Sequence, residues 1–351
     1  MRYRQFKLVE RDTVDKERLK KIDRINRKLQ DDPALVDEIF KRISTQAKDL
    51  EGNFINRFVD MLDPQRTAPE TDQTFADFLK KYAEIISEVE STTEEKFAFI
   101  GNLGKKSYVN TAKIMKPGKS SWDDWLAGDD FARKLFDRAF GDPRLITDNK
   151  GPGEAALAIL SPDIKLALGG AGDIEIKGKP IEVKASASVK KGSGGGRLTP
   201  TKGTLGSLQA IDVAKLLFPE DKVRQKAITD NYRNCSARVF PQFVADFQLT
   251  TEQLQGLLQQ IFKEPSIQDM VVKAAKKGAN ITAKDLVGLS IYNYGRSQND
   301  EHFLLLDKAS RTSLYFDIDN WDLPGFGYGL TVFGSDSRSV AQTQIRILAS
   351  G

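Results

Sequence analysis

The chain has 351 residues, enough for two domains, and its 40% hydrophobic content permits well-buried cores. A formal net charge of +4 permits nucleic-acid binding without demanding it. One cysteine, Cys235, excludes an internal disulfide and any Cys-based zinc site, and one histidine, His302, excludes metal chemistry built on paired histidines. No apolar run approaches the roughly 20 residues that cross a bilayer, and the charged start MRYRQFKLVERD is unlike a signal peptide, so the expected location is the cytosol with no membrane partner.

From Asp15 to about Phe140 the pattern is helical. Leu19, Ile22, Ile25 and Leu29 recur at helical spacing, as do Leu35, Ile39, Phe40 and Ile43, then Leu50, Phe54, Phe58 and Met61. Asp72 reads as the N-cap of the clearest stripe: Phe75, Phe78, Leu79, Tyr82, Ile85, Ile86 and Val89. Lys116 to Ser121 reads as a loop, after which Trp122, Trp125 and Phe131 dock a further helix. Residues 1–140 are therefore expected to form an all-α domain whose stripes are core and which carries no recognisable chemistry. The turn-rich stretch from Phe140 to Gly153 marks its end.

The informative stretch follows. Gly172-Asp173-Ile174-Glu175-Ile176 and Ile181-Glu182-Val183-Lys184 alternate in polarity and are joined by Lys177-Gly178-Lys179-Pro180, which predicts a β-hairpin with a four-residue loop. Pairing Ile176 with Ile181 sets Glu175 against Glu182, Ile174 against Val183 and Asp173 against Lys184. Ile174, Ile176, Ile181 and Val183 then share one face, and Asp173, Glu175, Glu182 and Lys184 the other. Three carboxylates and an amine on one face are either solvated or gathered by a cation. Mg²⁺ takes one or two carboxylates plus waters and substrate phosphate, which Asp173 and Glu182 could supply, and Lys184 could contact the attacking water or the scissile phosphate.

Asp173, the hairpin and Glu182-Val183-Lys184 together resemble the active-site signature of the PD-(D/E)XK, or restriction-endonuclease-like, nuclease superfamily. The resemblance covers roughly residues 151–202. It implies that Asp173 and Glu182 bind Mg²⁺, with Mn²⁺ as a substitute, and that Lys184 assists the attacking water. It also implies that Glu154, opening the apolar run Ala155 to Leu160, completes the metal shell. The superfamily's literal Pro-Asp occurs instead at Pro162-Asp163; the hairpin pairing favours Asp173, with Asp163 as the alternative. The Gly-x-Gly-Glu opening, the Glu-Val-Lys-Ala-Ser strand end and the Gly-Gly-Arg-Leu that follows are most similar to phage-encoded members.

After Lys184 comes a glycine-rich run flanked by Lys190, Lys191, Arg197 and Lys202. Consecutive glycines let the backbone approach a phosphate and the cations supply attraction, so a DNA-contacting loop is expected, against the alternative of a flexible linker. Residues 206–294 return to helix, with capping boxes at Thr250/Gln253 and Thr282/Asp285. This block reads as an insertion packed around the sheet, and Lys273, Lys276 and Lys277 as an ordinary basic helix end. Strands are expected at Phe303–Leu306, Leu314–Ile318, Tyr328–Phe333 and Gln344–Leu348, some of them extending the hairpin's sheet, while Asp317 and Asp319 edge a strand and its turn.

The expected fold is α+β or α/β: an all-α N-terminal domain, then a mixed-sheet nuclease core over residues 151–351. The expected function is a Mg²⁺-dependent endonuclease acting on DNA. Cleavage of both strands would call for two such sites and hence a homodimer, although no interface is legible. The rival from another class is a non-enzymatic structural or DNA-binding protein retaining the fold. An RNA nuclease would use the same metal chemistry, but the sequence lacks an RNA-binding aromatic signature.

Overall fold

The computed structural model describes residues 34–39, 41–42, 81–103, 105–126, 128–145, 151, 153–167, 171–186, 195–198, 208–335 and 343–348. Among the described residues ten strands run in chain order: β1 Gly118–Ser121, β2 Ile164–Leu166, β3 Ile174–Ile176, β4 Lys179–Ser186, β5 Gly195–Leu198, β6 Cys235–Ser236, β7 His302–Asp307, β8 Thr312–Asp317, β9 Phe326–Phe333 and β10 Thr343–Ile347. Six of them form a sheet of order β1-β8-β7-β4-β3-β2, and four form a second sheet of order β5-β10-β9-β6. The fold is α+β, as expected. β7 and β8 do extend the hairpin's sheet, whereas β9 and β10 belong to the second one.

In the larger sheet only β4 and β7 run parallel, with Glu182 beside Phe303 and Lys184 beside Leu305. Parallel neighbours need a crossover, since a tight turn can join only antiparallel strands. The helical block between β4 and β7 is that crossover.

Alternation along β7 divides the interior in two. Leu304 and Leu306 enter one core with Ile174, Ile176, Ile181 and Val183. Phe303 and Leu305 enter the other, built from the crossover helices and the second sheet. The first core also takes the Thr93–Gly101, Asp130–Ala139 and Glu154–Ile159 helices.

The stretch expected to be an all-α domain thus differs in two ways. Residues 118–121, expected as loop, form edge strand β1 paired antiparallel to β8. Residues 93–140 pack against the sheet and share its core instead of closing one of their own. Trp122 and Trp125 are fully buried, and their ring N–H groups donate to Thr312 O at 3.0 Å and Ser313 Oγ at 2.9 Å, which pins the N-terminal part to β8. The 81–88 helix is tied to the Asp130–Ala139 helix by Arg138, paired with Glu88 and with Asp142 at 2.6 Å, and by Arg144, which reaches Glu88 at 2.7 Å and Asp142 at 2.8 Å. The expected stripes over residues 19–29 and 50–61 and the Asp72 cap lie outside the described residues.

Both expected capping boxes form, at Thr250/Gln253 and Thr282/Asp285. Asp317 accepts Asn320 N–H at 3.0 Å and Asp319 accepts the Tyr292 hydroxyl at 2.7 Å, so both serve the turn after β8.

Candidate active site

The β3–β4 hairpin closes on a two-residue turn, Lys177-Gly178, with φ of 54° and 77°. Two left-handed residues match the twist of the flanking strands, so the loop is shorter than the four residues expected. The register becomes Ile174 with Ile181, Glu175 with Pro180 and Ile176 with Lys179. That is a shift of two residues from the expected pairing, and a shift of two leaves every side chain on its face. Ile174, Ile176, Ile181 and Val183 are accordingly all buried in one core. What changes is the partner: the register, continued by one residue, sets Asp173 across from Glu182 and not Lys184.

Asp173 precedes β3. Its backbone N–H donates to Ile181 O at 2.9 Å and its side-chain Oδ2 accepts Val183 N–H at 2.9 Å, so the carboxylate itself continues the ladder to β4. Before it, Gly172 has φ +73°, and a Cβ there would stand 2.6 Å from Ile181 N. Gly172 N–H also donates to Asp300 Oδ1 at 2.6 Å. Proline at this position would lack the donor and could not reach that φ, which accounts for a glycine before Asp173.

Glu182 is buried on the opposite face of β4 from Val183. The Tyr294 hydroxyl donates to Glu182 Oε1 at 2.5 Å, and the Lys184 ammonium pairs with the same oxygen while lying 5.7 Å from the Tyr294 ring centre. Burial alone would lower the Lys184 pKa, but the charges of Glu182, then Asp173 and Glu154, more than offset it and hold the amine protonated. Lys184 is therefore a fixed cation and a hydrogen-bond donor, with no lone pair for taking a proton at neutral pH.

Glu154 opens the Glu154–Ile159 helix and is buried. Two glycines bring it in. A Cβ at Gly151 would stand 2.9 Å from Glu154 Oε1, and one at Gly153 would stand 2.8 Å from Leu306 Cδ1 and 3.0 Å from Ala185 Cβ. The helix start thus presses directly on β4 and β7.

Two site residues were not anticipated from the sequence. Tyr294 lies on the Ala283–Gln298 helix, and Asp300 stands in the short link between that helix and β7. Burial, then the charges of Glu182 and Asp173, push the Asp300 carboxyl up to about 7, against the Gly172 N–H that favours its ionised form. The same causes, burial first and Glu182 second, drive the Tyr294 phenol far above its usual range, so it remains a donor.

The structure brings Asp173, Glu182 and Lys184 together, with Glu154 near enough to act on Lys184. Glu175 is not among them: it pairs with Pro180 and reaches Lys165 at 3.4 Å. Asp163 is exposed in the turn before β2. β2 enters opposite Ile176, so Asp163 stands at the other end of the β2–β3 pair from Asp173, about 13 Å away along the strands at the usual rise per residue. Arg197, expected in a loop, lies on β5, whose backbone pairs with β10 and which runs beside β4. Lys190, Lys191 and Lys202 lie outside the described residues.

Among the described residues no three of His, Cys, Asp and Glu are grouped so as to hold a metal ion. Mg²⁺ does not need three, because it keeps several waters and takes one or two carboxylates. Asp173 and Glu182 are the pair that fits. Three carboxylates, Glu182, Asp173 and Glu154, act on one ammonium, and Asp300 adjoins two of them, an excess of negative charge that a divalent cation would offset.

Fold and cluster define the class: an α+β protein with an acidic site around a lysine and a tyrosine, set between a six-stranded sheet and the last helix of its crossover. No family model, curated protein or solved structure matches the chain. Among the described residues no helix is long and apolar enough to cross a membrane.

Proposed function

We propose that the chain is a Mg²⁺-dependent endonuclease that hydrolyses phosphodiester bonds in DNA. The observation that carries this reading is the convergence of Asp173, Glu182 and Lys184, from a hairpin whose other face buries Ile174, Ile176, Ile181 and Val183, on one buried acidic site. Asp173 and Glu182 would hold the metal, with Glu154 ordering its shell. A bound Mg²⁺ or Mn²⁺ would supply water activation and neutralise charge growing on the phosphate oxygens. Lys184, kept as an ammonium, would orient the attacking water or the scissile phosphate by donating hydrogen bonds. Tyr294 holds Glu182 in place. The reading carries with it the cytosol as place of action, that of the host for a phage-encoded chain, and a homodimer where both strands are cut.

The test is plasmid nicking by the purified chain with and without Mg²⁺, beside Lys184→Ala. Nicking that requires Mg²⁺ and is lost in the variant supports the reading; nicking that survives in Lys184→Ala removes Lys184 from it.

One observation favours a second reading. Glu182, Lys184 and Tyr294 already satisfy one another, and no metal-holding group of three stands assembled among the described residues. A non-enzymatic DNA-binding or structural protein that retains the site as a structural cluster would show this geometry too. It would shift DNA in a gel yet leave plasmid intact at any Mg²⁺ concentration.

A further inference from the structure

The Ala283–Gln298 helix does more than cover the sheet. Asn299, at φ +59°, ends it in the left-handed conformation, and Asp300 N–H turns back to Gly295 O at 2.7 Å. This is a Schellman-type closure, with a bond from the residue after the left-handed one to the carbonyl five positions earlier. Gly295 makes it possible, since a Cβ there would stand 2.6 Å from Asp300 O and 2.6 Å from Ile318 Cδ1. One helix end therefore delivers two side chains to fixed places: Tyr294 onto Glu182, and Asp300 onto Gly172.

We infer that Asp300 is a positioning residue for the metal-binding pair. It holds Gly172 N–H on the β3 side from the end of the same helix whose Tyr294 holds Glu182 on β4, and so fixes how far apart Asp173 and Glu182 stand. The inference rests on the nuclease reading of this site and adds a residue to it. Asp173 follows Gly172 directly, and Gly172 presses on Ile181 N with no room for a Cβ, so the backbone that Asp300 grips is also the backbone that aims Asp173. Hydrogen-bond partners of metal ligands act in this manner, by fixing a ligand's orientation without touching the ion. Asp300 acts through geometry, as an acceptor towards Gly172. Asparagine supplies that acceptor through its carbonyl oxygen. Alanine does not.

The experiment compares the full chain with Asp300→Asn and Asp300→Ala in two readouts that need no DNA. One is Mn²⁺ affinity by calorimetry. The other is the Gly172 amide proton in spectra of the metal-free protein, where a 2.6 Å hydrogen bond to a carboxylate shifts it downfield. Asp300→Asn is expected to keep Mn²⁺ affinity within a few-fold of wild type and the amide downfield. Asp300→Ala is expected to lose roughly 10- to 100-fold in affinity, the usual cost of removing such a partner, and to return the amide upfield. Equal affinity in wild type and Asp300→Ala overturns the inference alone. So does a loss in Asp300→Asn as large as in Asp300→Ala, which would make the Asp300 charge itself the active element, or an amide that stays in place in Asp300→Ala. Where Asp300→Ala does not fold, Asp300→Asn decides the matter: near-wild-type affinity supports the inference and a tenfold drop overturns it. A wild type that binds no Mn²⁺ overturns the nuclease reading and the affinity claim together.

Discussion

The Tyr294 hydroxyl donates to Glu182 Oε1 at 2.5 Å, and the Lys184 ammonium sits on the same oxygen. A carboxylate buried on β4 thereby receives one neutral and one charged donor. Neither donor changes state near neutral pH, because the phenol is driven up by burial and the Glu182 charge, and the same charge holds the amine protonated.

Tyr294→Phe removes the neutral donor and leaves the ring. A hydrogen bond to a charged group contributes about 1.5–3 kcal/mol, so the variant is expected to lose that much stability in urea melts. A change below about 0.5 kcal/mol, the range of surface substitutions, would mean that the phenol does not hold Glu182.

Glu182→Gln keeps the shape and an oxygen for Tyr294 but loses the charge that a divalent cation needs. Mg²⁺-dependent nicking is expected to fall on the order of 100-fold or more while the far-ultraviolet spectrum stays unchanged. Cleavage at the wild-type rate would remove Glu182 from the metal site.

Gly172→Ala and Gly178→Ala make a matched pair. Both positions have positive φ, at 73° and 77°, but a Cβ at Gly172 meets Ile181 N at 2.6 Å whereas at Gly178 it meets nothing within 4 Å. The left-handed conformation alone costs an alanine about 1–2 kcal/mol, so Gly178→Ala should lose that amount and Gly172→Ala distinctly more. Equal losses in thermal melts would show that β3 and β4 can part freely at Gly172.

The hairpin faces were legible in the sequence because alternation survives a register error of two; the register was not, because Lys177-Gly178-Lys179-Pro180 contains both a four-residue and a two-residue turn. β1 was illegible for a different reason. Gly118-Lys119-Ser120-Ser121 is polar and poor in strand formers, and it is a strand only because β8 offers an edge and the two tryptophans behind it fix the chain there. Tyr294 and Asp300 could not be read from spacing around the motif, since the whole crossover separates them from Glu182. The signal for them is local: Asn299-Asp300 between a helix pattern and a strand pattern marks a helix end, and a helix ending just before the strand parallel to β4 must end near Glu182.

The Asp142 carboxyl carries a pH dependence outside the site. Burial would raise its pKa, but hydrogen bonds from the Arg144 side chain and backbone, with the charges of Arg144 and Arg138, hold it below its usual value. A depressed folded-state pKa stabilises the fold above the unfolded value, about 3.9 for Asp, and that contribution is lost as pH falls through the folded value. Wild type is thus expected to exceed Asp142→Asn by a constant margin above about pH 5 and by a shrinking one below about pH 4. Urea melts across that range check it; a margin that widens in acid would reverse the sign.

Lys190, Lys191, Arg197 and Lys202 follow β4 in the chain, and β5, which carries Arg197, runs beside β4. Lysine and arginine on a glycine-rich segment meet phosphates and carry no arrangement for reading base edges, so in a nuclease they would act through backbone charge. Each phosphate they neutralise releases condensed counterions, which makes affinity fall with salt at a slope set by how many phosphates are neutralised. Replacing all four by glutamine is expected to weaken binding equally for two unrelated duplexes and to flatten the salt dependence, the slope shrinking by roughly 0.9 for each phosphate left without its cation. A plain linker predicts no change in either quantity. Titrating both proteins with both duplexes at several salt concentrations separates the two, and equal affinities with parallel slopes would take the segment out of DNA binding.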